Sequence, residues 1–106
     1  PAQRFDAAYS ANTLHIMGWA EVEQFFRLVG AVLEPGSTLI VYGPFNYGSR
    51  YTSESNAAFD AQLRADDPKR GIRDFEAIDA LARGQGFALV ANIAMPSNNL
   101  CLVWRR

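Results

Sequence analysis

Phe87-Ala88-Leu89-Val90-Ala91-Asn92-Ile93-Ala94-Met95-Pro96-Ser97-Asn98-Asn99-Leu100-Cys101-Leu102-Val103-Trp104 is the stretch that decides how this 106-residue chain is read. Phe87, Leu89, Ala91, Ile93 and Met95 alternate with smaller or polar residues, the period of a strand with one buried face. Pro96-Ser97-Asn98-Asn99 is turn chemistry, and Leu100 to Trp104 returns as a second apolar run. A connection that short forces the two strands to run antiparallel.

Working back from the hairpin, Gly84-Gln85-Gly86 closes a short helix in which Phe75, Ile78, Leu81 and Ala82 share a face. Asp74 reads as its N-cap. Ser53 to Ala65 reads as another helix, with Phe59 and Leu63 one turn apart, and Asp66-Asp67-Pro68 breaks it. Phe45 to Thr52 is polar and aromatic, with Gly48 a hinge candidate. Leu39-Ile40-Val41-Tyr42 is a fully apolar strand, expected where both faces of a sheet are covered, and Gly43-Pro44 ends it. Trp19 to Leu33 repeats Val22, Phe25, Phe26, Val29 and Val32 at helical spacing, and Glu34-Pro35-Gly36 stops it.

Phe5 to Ser10 is the first strand, followed by the polar turn Ala11-Asn12-Thr13-Leu14-His15. The order is β-α-β-α-α-β-β, with a right-handed crossover expected between the parallel strands. This predicts an α/β fold of three layers, α/β/α, built on a mixed sheet. Residues 1–106 read as a single partial domain, because Phe5 leaves no room for an earlier element and its strand has the character of a sheet interior.

The totals narrow the function. Ten Lys+Arg against eleven Asp+Glu give a net charge of -1, whereas duplex binding calls for a basic face. Lys69-Arg70 and Arg105-Arg106 are the only adjacent basic pairs, too few for such a face, so nucleic-acid binding by this segment is disfavoured. One cysteine, Cys101, and one histidine, His15, exclude an internal disulfide and a zinc site of ordinary ligand count. No apolar run approaches about 18 residues, so no membrane span is expected. With no signal-peptide pattern, a cytoplasmic location is the expectation.

The hairpin ending resembles the second half of a class I S-adenosylmethionine-dependent methyltransferase sheet, whose last strand is antiparallel and inserted beside the fifth. Phe5-Asp6-Ala7-Ala8-Tyr9-Ser10-Ala11-Asn12 with Leu14-His15 resembles the fourth strand and turn of that Rossmann-like class. Leu33-Glu34-Pro35-Gly36-Ser37 resembles the Leu-x-Pro-Gly-Gly turn ahead of the fifth, departing from it at Ser37. More narrowly, Tyr42-Gly43-Pro44-Phe45, Ser55-Asn56 with Phe59-Asp60, Leu63-Arg64, Gly71-Ile72-Arg73-Asp74 and Met95-Pro96 with Asn98-Asn99 resemble a family of small methyltransferases, largely of unknown substrate.

The resemblance implies S-adenosylmethionine as cofactor and an unknown methyl acceptor, expected to be a small molecule. The class holds its cofactor mainly by a glycine-rich turn between a first strand and a helix, and that turn is absent here. Gly84-Gln85-Gly86 follows a helix and precedes a strand, the reverse of what a phosphate or cofactor loop requires. The segment alone is therefore expected not to bind the cofactor tightly.

Methyl transfer needs an acceptor held in line and sometimes a base. Ligands of open α/β sheets bind outside the strands' carboxyl ends, and the resemblance brings Ser10, Ala11 and Asn12 toward the methionine part of the cofactor. His15 titrates near neutrality and is the candidate base. Tyr42, Phe45 and Tyr47 flank the second strand as candidate acceptor walls. Arg64 and Arg73 can clamp a carboxylate or phosphate, or pair structurally with Asp74. Asn98 and Asn99 sit in the hairpin turn near the expected substrate side.

Two other enzyme readings fail on residues. A short-chain dehydrogenase wants Tyr-x-x-x-Lys, and the chain has Tyr47-x-x-x-Tyr51. An α/β-hydrolase wants Gly-x-Ser-x-Gly, which is absent. The remaining alternative is a non-catalytic, partner-binding protein of the same fold. An unpaired first strand also predicts self-association through its edge.

Overall fold

The computed structural model describes residues 5–106. Helix α1 (Trp19–Val32) opens at Gly18, whose N–H donates to Glu21 Oε1 at 3.1 Å, and buries Val22, Phe26 and Val29. Strand β1 (Phe5–Ala11) runs parallel to strand β2 (Leu33–Gly43). β2 begins directly at the helix end, so Glu34-Pro35-Gly36 does not lie in a loop as expected. It forms the irregular first part of the strand, where Gly36 takes φ +85 and the register with β1 shifts.

Strand β3 (Phe45–Asn46) and strand β4 (Arg73–Asp74) form a small parallel pair that the sequence reading did not anticipate. Between them lies helix α2 (Glu54–Asp66), capped by Ser53, whose hydroxyl accepts from Asn56 N at 3.0 Å. Its buried face is Asn56, Asp60 and Leu63, a correction to the Phe59–Leu63 stripe. Phe59 lies on the helix flank, 41% exposed, while Asp60 turns inward to bind backbone and side-chain donors.

Helix α3 (Phe75–Gly84) buries Ile78 and Ala82. Asp74 precedes it but makes no side-chain cap. Its carboxylate accepts instead from Ser49 N at 3.2 Å and Ser49 Oγ at 3.0 Å. Gly48 N donates to Glu76 Oε1 at 2.8 Å, so the turn carrying the expected hinge is tied to the start of α3.

Strand β5 (Ala88–Met95) and strand β6 (Asn99–Arg105) form the antiparallel hairpin, joined by a 3-10 turn over Pro96–Asn98. Ser97 and Asn98 are left-handed at φ 64 and 59. β6 also pairs antiparallel with β2, giving the order β1-β2-β6-β5.

One sheet face meets α1 and α3 in a single core that includes Leu39, Val41, Leu102 and the fully buried Trp104. The indole of Trp104 donates to Asp79 Oδ1 at 2.9 Å, which satisfies its polar atom. The opposite face is more open than the apolar run Leu39–Tyr42 suggests. Ile40, Tyr42, Cys101 and Val103 are half-buried there, and Tyr9 and Ile93 are exposed. β1 lies at the sheet edge, its outer side unpaired among the described residues.

Arg106 does not present a basic surface. Its Nη1 donates to Gly30 O and Leu33 O, both at 2.6 Å, and its guanidinium lies over Phe87. Among the described residues, no helix is long and apolar enough to cross a membrane.

Candidate active site

The turn after β1 brings the sheet's chemistry to its carboxyl edge. Asn12 takes a left-handed φ of 56, and its N–H donates to Tyr42 O at 2.9 Å, the last link of the parallel ladder. Asparagine tolerates this conformation better than most residues. The Ser10 hydroxyl pairs with Thr13 Oγ1, which closes the turn on itself.

Asn12 lines a cavity of about 460 Å³ with His15, Pro44, Ser55, Asn56, Phe59, Ser97 and Asn99. His15 is 7% exposed, and Phe59 packs edge-on against its ring at 5.4 Å. Burial, and secondarily the Arg73 guanidinium, hold the imidazole below its ordinary pKa. The ring is therefore neutral at pH 7, with one nitrogen able to accept a proton. No lining residue carries a formal charge, so the cavity offers hydrogen bonds without ion pairing.

Behind the cavity stands an acidic hub. Asp60 is 1% exposed and accepts from Ile72 N at 2.8 Å, Arg64 Nε at 2.9 Å and the Tyr51 hydroxyl. Burial pushes its carboxyl up, but the bonds from Tyr51, Arg64 and the Ile72 backbone outweigh that and hold it below the ordinary carboxylate value. The same segment reaches the histidine, since Gly71 N donates to His15 O at 2.9 Å. Arg73 extends the lacing, donating to Leu14 O, Met17 O and Lys69 O.

The residues singled out by sequence divide. Asn12, His15 and Asn99 meet in the 460 Å³ cavity, whereas Ser10 and Ala11 do not line it. The Tyr42 hydroxyl accepts from Asn99 Nδ2 at 3.2 Å, so it supports the cavity from outside. Asn98 contributes its backbone carbonyl to Asn56 Nδ2 at 3.4 Å. Phe45 is 2% exposed within the core. Tyr47 lies against Phe75 and accepts from Asn92 Nδ2 at 2.8 Å, away from the cavity. Arg64 pairs with Asp60 rather than Asp74. Together with Arg73 it lines a separate cavity of about 370 Å³.

Sequence reasoning missed Ser55, Asn56, Phe59 and Asp60 as site residues. A usable signal was present: Asn56, Asp60 and Leu63 recur at helical spacing, so a polar pair faces inward if Leu63 does.

S-adenosylmethionine, implied by the resemblance, fits this chain in part. The neutral polar wall of Asn12, Asn56 and Asn99 suits the reacting end of such a cofactor. Among the described residues no glycine-rich turn joins a strand to a following helix, so nothing comparable holds its nucleoside.

A family model described as "Protein of unknown function (DUF938)" matches residues 1–106. Among solved structures, the chain is similar to an O-methyltransferase family protein from Burkholderia thailandensis, with TM-score 0.84, 16% identity and coverage of 99% of this chain and 31% of that one. It is similar to an O-methyltransferase family 2 protein from Planctomyces limnophilus in complex with apigenin, at TM-score 0.87 and 13% identity, covering 100% of this chain and 32% of that chain. It is also similar to human N-acetylserotonin methyltransferase in complex with SAM, at TM-score 0.83 and 13% identity, covering 95% and 29%. At these identities the likeness is one of fold, the Rossmann-like class I methyltransferase fold. The chain spans about a third of the length of these structures.

Proposed function

This chain belongs to the DUF938 family of proteins of unknown function, and we propose that it forms the acceptor-side part of a SAM-dependent methyltransferase acting on an uncharged small molecule. The observation that carries the reading is the uncharged cavity at the carboxyl ends of β1 and β2, where Asn12, His15 and Asn99 converge. The names of the structural neighbours support an oxygen nucleophile as acceptor.

S-adenosylmethionine, when bound, supplies an electrophilic methyl group and leaves as a neutral thioether. The chain's own residues do the rest. Asn12, Asn56 and Asn99 offer amide donors and acceptors that orient the acceptor. Phe59 fixes the His15 ring, and the neutral Nε2 or Nδ1 takes the acceptor's hydroxyl proton as the new bond forms. Pro44 and Phe59 limit access of water to that proton transfer.

Isothermal calorimetry tests the reading. The whole protein is expected to bind S-adenosylmethionine with a Kd of about 10 μM or tighter, and residues 1–106 alone are expected to show no comparable heat. No binding by the whole protein at about 1 mM ligand would sink the proposal. Tight binding by residues 1–106 would remove the argument that the main cofactor anchor lies outside them.

The unpaired edge of β1 and the exposed Tyr9 support pairing with a further strand, from a longer chain or a second copy. Residues 1–106 alone are then expected to sediment as dimers or larger species. A monodisperse monomer at about 100 μM would contradict it.

A further inference from the structure

Asn56 is 5% exposed, yet it lines the 460 Å³ cavity. Its Nδ2 is committed twice: to Thr52 Oγ1 at 3.0 Å, in the segment before α2, and to Asn98 O at 3.4 Å, in the hairpin turn. The Asn98 carbonyl can only accept, so it sets which way the amide faces; the flipped amide would bring two acceptors together. Oδ1 is left with no protein partner among the described residues. Unlike Asn46 Oδ1, it is not closed off from solvent. Tying α2 to the hairpin accounts for the donor half of this amide and leaves the acceptor half unexplained.

In solution such an acceptor is met by water. A ligand that fills the cavity displaces that water, and it must bring a donor of its own or leave Oδ1 stranded. The atom therefore discriminates between ligands by what they offer it. The hydroxyl that is methylated cannot serve, because it has one hydrogen and gives it to His15. A second donor is required. That donor is uncharged, since no carboxylate lines the cavity to balance a cation.

We propose that Asn56 Oδ1 is the specificity-determining group of this cavity, selecting neutral hydroxy compounds that carry a second O–H or N–H donor beside the hydroxyl that reacts. The role of His15 in this argument rests on the methyl-transfer reading, but the test reads ligand binding by itself. Phe59 and Pro44 supply an apolar wall, and a volume of about 460 Å³ suits a ring with its substituents.

The probes are catechol, resorcinol and hydroquinone, each paired with the fluorophenol in which fluorine replaces one hydroxyl. Each pair differs by one donor at nearly constant size. The three substitution patterns set that donor at three separations from the first hydroxyl. Titration of the 15N-labelled whole protein, without cofactor, follows the side-chain amides of Asn12 and Asn99. The indole of Trp104, buried and bonded to Asp79, is the internal control.

At least one diol is expected to bind about fivefold more tightly than its fluorophenol, or better, the value of one well-made hydrogen bond. Asn56→Ala, or Asn56→Ser if the first does not fold, should bind both members of that pair alike, with an unmoved Trp104 resonance certifying the fold. S-adenosylmethionine affinity should change less than about twofold in the same variant. The proposal is overturned if no diol is preferred by the wild-type protein, or if a folded variant keeps the preference. It is also overturned if the variant loses about tenfold in cofactor affinity, which would assign Oδ1 to the cofactor's ammonium. A protein that shows the preference but binds no S-adenosylmethionine would end the methyl-transfer reading and leave the selection at Asn56 standing.

Discussion

Asp60→Ala is expected to lower the unfolding free energy of the whole protein by about 2 to 3 kcal/mol, chiefly the cost of leaving a buried backbone donor without its acceptor. The carboxylate is 1% exposed and answers three donors on three segments: Tyr51 before α2, Arg64 on α2 and Ile72 N before β4. Removing it strands a buried backbone N–H and releases Arg64 and Tyr51. Arg64 is half-exposed, so its share is discounted by solvent; the larger part of the loss comes from Ile72 N. Urea denaturation measures the change, and a loss below about 1 kcal/mol would mean that the hub is not structural.

The pH dependence follows from the sign of the shift. The folded state holds the Asp60 carboxyl below its ordinary value. Its contribution is therefore complete above about pH 4 and is lost as pH falls through the depressed folded value. Asp60→Asn should flatten that acid limb of the stability profile. The effect should also reach the candidate base, because Gly71, next to Ile72, donates to His15 O.

His15→Gln in the whole protein is the second large expectation: kcat should fall about a hundredfold to ten-thousandfold, the range for loss of a general base. S-adenosylmethionine affinity should change less than about twofold, since the substitution leaves Asn12 and the rest of the wall in place. Equal losses in kcat and cofactor affinity would assign His15 a packing role instead.

The pH profiles separate these outcomes further. Burial and Arg73 lower the imidazole's pKa, so the acid limb of kcat/KM should lie below about pH 6.5. The unfolded chain binds a proton at His15 more readily than the folded one in that window. Stability conferred by the neutral ring is thus present above about pH 6.5 and falls as pH drops toward the lowered folded value. His15→Gln should remove both features together.

Legibility of the site tracked the kind of signal each residue carried. Asn12 and His15 stand at the end of a recognisable strand, and strand ends in α/β sheets face the ligand side by topology. Asn99 was readable as a turn residue, and its turn reaches the same cavity. Asn56 and Asp60 were not read as inward-facing, because apolar periodicity on α2 pointed to Phe59. A helix whose buried face is polar gives hydrophobic patterning little to work with. Asp74 carried the composition of an N-cap, yet its carboxylate binds Ser49, from a turn 25 residues earlier.

By itself the sequence determined the order of the three helices and the four strands of the main sheet, the antiparallel hairpin and the strand end on which Asn12 and His15 sit. Those features arise from local periodicity, turn chemistry and connection length, which act over a few residues. Only the tertiary structure decided that the short strands β3 and β4 pair, that Asp60 ties α2 to the segment 71–73, and that Arg64 and Arg73 line a second cavity. These depend on pairings between distant segments, and buried donors and acceptors choose such partners by proximity in space, which no local pattern encodes.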